Sequence, residues 1–340
     1  MKIVKENAMP ELRFNLVTKD WVIMAPERAK RPEDFIKKNV ERGQLPAFKE
    51  SCPFCPGHEN LTPPETYRLG TADSWQVRSI PNKYSALARE GELSRQMDGI
   101  KRTMTGVGLH DVIIENPLHN GFPAVIPLSG MQDIFRVYRA LYRQFYQDPR
   151  VRMVILFKNN GAAAGTSLEH PHSQIVGTPV IPPQIRYRIE EAQKYHDDTG
   201  ECLYCRILAE ELKDRGRIVV ETEYFVAFVP YAALSPFHTW IFPRRHMASF
   251  DALTEEELLD MASVVQQALQ RLYYGLDDPD YNYVLRSLPD PQGNIEYFHF
   301  YLAIVPRLTK AAGFELGSGM YINTQLPEKD AEFLRGVQIP

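Results

Sequence analysis

Three side chains able to do chemistry stand at alternate positions in His170-Pro171-His172-Ser173-Gln174. In an extended strand, residues i, i+2 and i+4 share one face, so His170, His172 and Gln174 are expected to line up toward one site. Pro171 removes a backbone donor and suits a sheet edge. An imidazole between a second histidine and a neutral amide can attack phosphorus while the amide binds the oxygens. His172 is then the candidate nucleophile and Gln174 its catalytic amide. A surface His-Pro-His turn is the alternative that these five residues alone leave open.

The segment just before them, Phe157 to Ser167, is rich in small residues and ends Gly165-Thr166-Ser167. Backbone amides with little bulk around them approach phosphate oxygens closely, and the Thr166 and Ser167 hydroxyls add donors. A flexible loop is the alternative reading; the adjacent imidazoles favour phosphate.

All four cysteines fall in two Cys-x-x-Cys pairs, each followed by two histidines. The first set is Cys52, Cys55, His119 and His170; the second is Cys202, Cys205, His246 and His299. The histidines lie 51 and 53 residues apart in the two sets. Two thiolates and two imidazoles make a tetrahedral zinc set, so two zinc ions per chain are expected. His58 and His110 compete for the first set and His238 for the second, but they break the repeat. Redox exchange would need the cysteine pair to open a helix in a βαβ unit. Pro53, Pro56 and Gly57 favour a turn in the first pair instead.

The elements that must position these residues also recur. Ser129 with Gln132, and Thr254 with Glu257, read as capping boxes shortly after the first histidine of each half. Apolar stripes follow: Ile134, Val137, Tyr138, Leu141, Tyr142 and Phe145, then Leu258, Met261, Val265, Leu269 and Leu272. Strand-like runs precede the helices (Trp75 to Ile80, Phe225 to Val229) and follow them (Val151 to Phe157, Tyr281 to Leu285). This is a domain duplication rather than a solenoid, with domains expected at 1–190 and 191–340. Aligning His170 with His299 sets Tyr301 opposite His172 and Ala303 opposite Gln174. The first half is therefore expected to carry the chemistry, and the second ion to be structural.

Composition excludes some classes. Basic and acidic residues number 39 and 43, so there is no electrostatic footprint for nucleic acid or membrane. Met1 to Asn15 has no apolar run of signal-peptide length, and no run approaches a membrane span. A cytoplasmic protein is expected.

The stretch from Phe157 to Gln174 resembles the active-site signature of the galactose-1-phosphate uridylyltransferase family, within the histidine-triad superfamily. It matches Phe-x-Asn-x-Gly-Ala-Ala-x-Gly-x-Ser, two further residues, then His-Pro-His-x-Gln. Trp21 to Pro32, Cys52 to Gly57 and Gly313-Phe314-Glu315 resemble the family's phosphate-contact segment, first zinc knuckle and hexose-phosphate loop. The resemblance implies an α+β fold of two tandem histidine-triad-like domains, each an antiparallel half-barrel with packed helices, assembled as a homodimer. It implies ping-pong transfer through a nucleotidyl-His172, with Gln174, Ser167, Thr166 and Gly165 contacting phosphates. Asn82 and Asn159 would hold the nucleoside or its phosphate, Arg28 and Arg31 would balance charge, and Gly313, Phe314 and Glu315 would meet the hexose phosphate. Glutamine at 174, where hydrolytic relatives carry histidine, cannot supply a proton at neutral pH and so favours transfer over hydrolysis.

Lys83 and Thr309 depart from the best-known bacterial members. The second metal set and the ending Gly313 to Asn323 look more like the ADP-glucose phosphorylase branch. The leading substrate reading is UMP exchange between UDP-glucose and galactose 1-phosphate; the alternative is AMP transfer from ADP-glucose to inorganic phosphate. A catalytically silent, zinc-stabilised nucleotide-binding protein is the reading from another class.

Overall fold

The computed structural model describes residues 9–28, 45–71, 74–290 and 293–340. Ten strands form one antiparallel sheet. Its spatial order is Tyr67–Gly70, Trp75–Pro81, Leu109–Ile114, His172–Thr178, Met153–Asn160, Tyr281–Arg286, Tyr301–Pro306, Thr239–Pro243, Phe225–Phe228 and Ile218–Glu221. Five strands come from each half of the chain. Read outward from the seam between Met153–Asn160 and Tyr281–Arg286, both halves follow the same connectivity. The α+β class and the duplication are borne out, with the two sheets fused edge to edge.

The register makes the equivalences explicit. Phe157 pairs with Gln174 and with Val284, and Val284 pairs with Ala303. Val112 faces Gln174 as Trp240 faces Ala303. Ala303 therefore takes the place of Gln174 and Tyr301 that of His172. Two residues along their strands, Arg286 takes the place of Asn159, and His238 that of His110.

Strand alternation sorts each face. Ile175, Leu156, Tyr283, Leu302 and Ile304 point into the main core. The helices Leu128–Tyr146 and Glu255–Leu276 pack there with their predicted stripes buried. Each fully buried Leu, Val or Phe contributes about 1.5–3 kcal/mol. His172, Gln174, Asn159, Arg286 and Tyr301 occupy the opposite face. The Thr254–Glu257 capping box forms as expected. The Ser129–Gln132 box does not. That helix starts at Leu128 with Pro127 in the cap position and no side-chain cap bond, so Ser129 falls inside the first turn.

The N-terminal strands Glu11–Phe14 and Trp21–Met24 join Tyr321–Asn323 in a small sheet against the C-terminal half. Arg13 binds Glu328 and the Tyr231 carbonyl, and Asn15 donates to the Ala232 carbonyl. No helix among the described residues is long and apolar enough to cross a membrane.

Candidate active site and metal centres

His172 opens its strand and is 5% exposed. Its Nδ1 lies 2.8 Å from the His170 carbonyl. A carbonyl only accepts, so Nδ1 carries the hydrogen and Nε2 keeps its lone pair. Burial pushes the His172 imidazole below its ordinary range, which keeps it neutral. From the core side, Lys158 Nζ donates to the His172 carbonyl at 3.1 Å and pairs with Glu115 at 2.6 Å. Tyr138 OH lies 2.9 Å from both Glu115 Oε1 and Ser173 Oγ. A buried charge network thus grips the strand from behind.

Beside His172 is a cavity of about 240 Å³ lined by Asn159, Gly161, Thr166, Ser167 and Asp280. The small-residue segment is ordered. Met153–Asn160 ends in a 3-10 turn, Ala162–Ala164, bracketed by Gly161 (φ +88°) and Gly165 (φ +87°), where side chains would be strained. Asp280 accepts from the Ala163 amide at 2.6 Å. Asn282 Nδ2 donates to the side-chain Oδ1 of Asn159 at 2.8 Å and to the Ala164 backbone carbonyl at 2.9 Å. The second half therefore braces the loop of the first.

Gln174 sits in a network that the spacing argument missed. The Ala86 amide donates to His110 Nδ1 at 3.3 Å, so Nε2–H donates to Gln174 Oε1 at 2.8 Å. Asn82 Nδ2 reaches the same oxygen at 3.4 Å. With its oxygen held, Gln174 keeps its NH2 as the remaining donor. His110 is thus no metal ligand, and neither is His58, whose Nδ1 binds the Cys52 carbonyl at 2.7 Å. A signal was available. His110 precedes His119 by nine residues and His238 precedes His246 by eight, so the two excluded histidines belong to the repeat. Removing the His110 contact (His110→Ala) should lower kcat about tenfold, the worth of one hydrogen bond of ~1–1.5 kcal/mol, with zinc content unchanged. Unaltered kcat in steady-state assays would show that Gln174 needs no such hold.

Cys52, Cys55, His119 and His170 converge in one fully buried cluster. His170 Nδ1 lies 3.7 Å from both sulfurs, and His119 Nδ1 lies 3.7 Å from Cys55. A tetrahedral zinc site with ordinary bond lengths sets that separation at ~3.6 Å. His170 Nε2 donates to the Asn116 carbonyl at 2.8 Å, leaving Nδ1 free to ligate. Backbone amides of Phe54 and Lys49 approach the two sulfurs at 3.4 Å. The donor set fits a metal ion. In the second half Cys202, Cys205 and His246 gather likewise. His299 Nδ1 stands 3.3 Å from Cys205, and His246 Nδ1 3.1 Å.

Gly313, Phe314 and Glu315 do not line the cavity beside His172 within this chain. Arg28 ends a 3-10 turn, Pro26–Arg28, next to Ala25, which bonds to the Asn323 carbonyl of the second half. Arg31 lies outside the described residues. Gly313, Phe314 and Glu315 open a short helix, Gly313–Ser318, and Glu315 lines a different cleft.

A duplicated sheet that presents one imidazole beside a glycine-bounded loop is the architecture of a group-transfer enzyme. Family models for the N-terminal and C-terminal domains of galactose-1-phosphate uridyl transferase match residues 1–182 and 188–336. The chain belongs to that family. It is 38% identical to the ADP-glucose phosphorylase of Arabidopsis thaliana, covering 98% of this chain and 95% of the relative. It is 28% identical to the galactose-1-phosphate uridylyltransferase of Thermotoga maritima, over 97% and 99%. The crystal structure of the Arabidopsis thaliana ADP-glucose phosphorylase with bound ADP-glucose superposes with a TM-score of 0.83 at 35% identity, covering 98% and 100%. A uridylyltransferase structure reaches 0.74 at 27%, covering 96% and 97%.

Proposed function

We propose that this enzyme transfers a nucleoside monophosphate from a nucleotide sugar through a covalent nucleotidyl-His172. The observation that carries the reading is the bond from Nδ1 to the His170 carbonyl, which turns the Nε2 lone pair outward. Nε2 attacks the α-phosphorus; a P–N bond forms, the P–O bond to the sugar phosphate breaks, and the sugar 1-phosphate departs. The same carbonyl stabilises the positive charge the ring acquires. An acceptor phosphate oxygen then attacks phosphorus, the P–N bond breaks, and the imidazole is restored. Gln174, Thr166 and Ser167 donate to phosphate oxygens, and Asn159 and Asn82 hold the nucleotide. A sugar phosphate leaves without a proton donor, which suits the amide at 174.

Between the two substrate readings, 38% identity over nearly the whole chain favours ADP-glucose with inorganic phosphate as acceptor. The uridylyl reading rests on the family models and the Thermotoga maritima relative. Incubating the enzyme with base-labelled ADP-glucose or UDP-glucose, without acceptor, should leave label on the protein from ADP-glucose. Labelling by UDP-glucose alone would reverse the choice, and labelling by neither would remove the mechanism.

Each Cys/His cluster is proposed to hold zinc. The first ion would fix the His170 turn that orients His172, and the second would tie the C-terminal sheet. His299→Ala should halve zinc content from two ions per chain to one and lower Tm, because ligand loss couples to folding. Turnover should change less than stability; unchanged Tm by calorimetry would contradict the structural role. A homodimer in the cytoplasm is the proposed state and location.

A further inference from the structure

We propose that the C-terminal half holds a second binding site, for a phosphate group on a small molecule, in a cleft of about 870 Å³ on the same open face of the sheet. The cleft is the symmetry mate of the His172 site. Tyr301 and Ala303 stand where His172 and Gln174 stand, so the means of attacking phosphorus are gone. His238 keeps the position of His110, and Arg286 replaces Asn159. The means of binding an anion have been strengthened.

The lining carries buried donors that no protein atom accepts. Arg188 Nε and Nη1, His238 Nδ1, and the Thr18 and Ser235 hydroxyls are buried without a partner, and all four residues line this cleft. His238 is 5% exposed, and its Nε2 accepts the Trp240 indole N–H at 3.1 Å. Nδ1 therefore carries the hydrogen. Burial, then the Arg286 and Arg188 charges, push His238 down to about 3, so it stays neutral beside both guanidiniums. Among the described residues neither Arg188 nor Arg286 forms an ion pair, although Arg286 is half-buried and desolvation pulls its guanidinium below the ordinary arginine range. The acids of the lining are Asp20 and Glu315, against Arg188, Arg286, Arg307 and Lys310. Glu315 is engaged by the Ala312 amide at 2.9 Å.

Native interiors satisfy nearly every buried donor, so several orphans facing one cleft call for a ligand rich in acceptors. Phosphate supplies several charged oxygens matched to paired guanidiniums. The cleft has the volume of an organic-ligand site, and Trp240 and Tyr301 offer aromatic wall to a sugar or base. The inference does not depend on which substrate His172 takes.

The test is equilibrium dialysis of the zinc-loaded protein with glucose 1-phosphate and, separately, orthophosphate. It is run in a His172→Ala background so that no transfer occurs. The parent should bind one more molecule per chain than R188Q/R286Q. Binding of glucose 1-phosphate at least tenfold tighter than orthophosphate assigns the site to an organic phosphate; equal binding assigns it to free phosphate. Equal stoichiometry in parent and variant overturns the proposal. So does dissociation of an oligomer in the variant without lost binding, which would mean that a second copy satisfies the donors. Arg286→Met guards against misfolding. It removes one unpaired charge, so it should melt above the parent without ligand and show a smaller rise with glucose 1-phosphate. A full rise overturns the site.

Discussion

His172→Ala is expected to abolish turnover, with a loss of at least ~10⁴-fold, and to leave no nucleotide on the protein. Among the described residues of the first half, the His172 ring is the imidazole lining the loop cavity whose Nδ1 is bonded to a carbonyl, so that Nε2 keeps its lone pair. His170 and His119 direct Nδ1 at the thiols, and His110 spends its Nε2 hydrogen on Gln174. No neighbour is placed to substitute. Zinc content should stay at two per chain, because His172 touches neither cluster through a ring nitrogen. Mass spectrometry of the quenched enzyme checks the adduct. Its appearance in the variant, or on another side chain of the parent, would displace His172 from the reaction.

Lys158→Met is expected to destabilise the fold by about 3–5 kcal/mol, the range for breaking a buried ion pair from one side. Both Lys158 and Glu115 are at most 1% exposed. The variant strands the carboxylate, takes the clamp off the His172 carbonyl, and leaves Tyr138 and Tyr283 beside an uncompensated charge. Lys158→Met/Glu115→Gln should recover more than half of the loss, because no net charge then remains buried. Denaturant unfolding at fixed zinc measures both. A single variant within 1 kcal/mol of the parent would mean that the network adds little. Turnover should fall along with stability in the single variant, since the nucleophile's strand loses its rear support.

Much of this was legible in the residues. The first metal set, the apolar stripes and the paired halves follow from spacing, because periodicity and ligand chemistry are local properties. The lost box at Ser129 shows where local reading fails: Pro127 presets the helix entry and shifts the cap by two residues. His110 and His238 were harder. Each looks like a stray ligand until the register sets one on the other, and register is a property of pairing between distant strands. For Gly313 to Glu315 the motif marks a loop, and only the fold shows that Glu315 borders the C-terminal cleft. Arg188, from a helix between the halves, carries no motif at all. Its meaning comes only from the orphaned donors around it.

The seam where Met153–Asn160 meets Tyr281–Arg286 is antiparallel and lies on the approximate twofold axis. An edge paired this way is self-complementary: the backbone pattern that one half offers is the pattern it accepts. A gene encoding a single half would thus specify a chain able to meet its own copy along this strand, giving a symmetric pair with two working centres. Joining two such genes would hold the pair together at any concentration and free one centre to drift, because losing its nucleophile would no longer cost the organism the reaction.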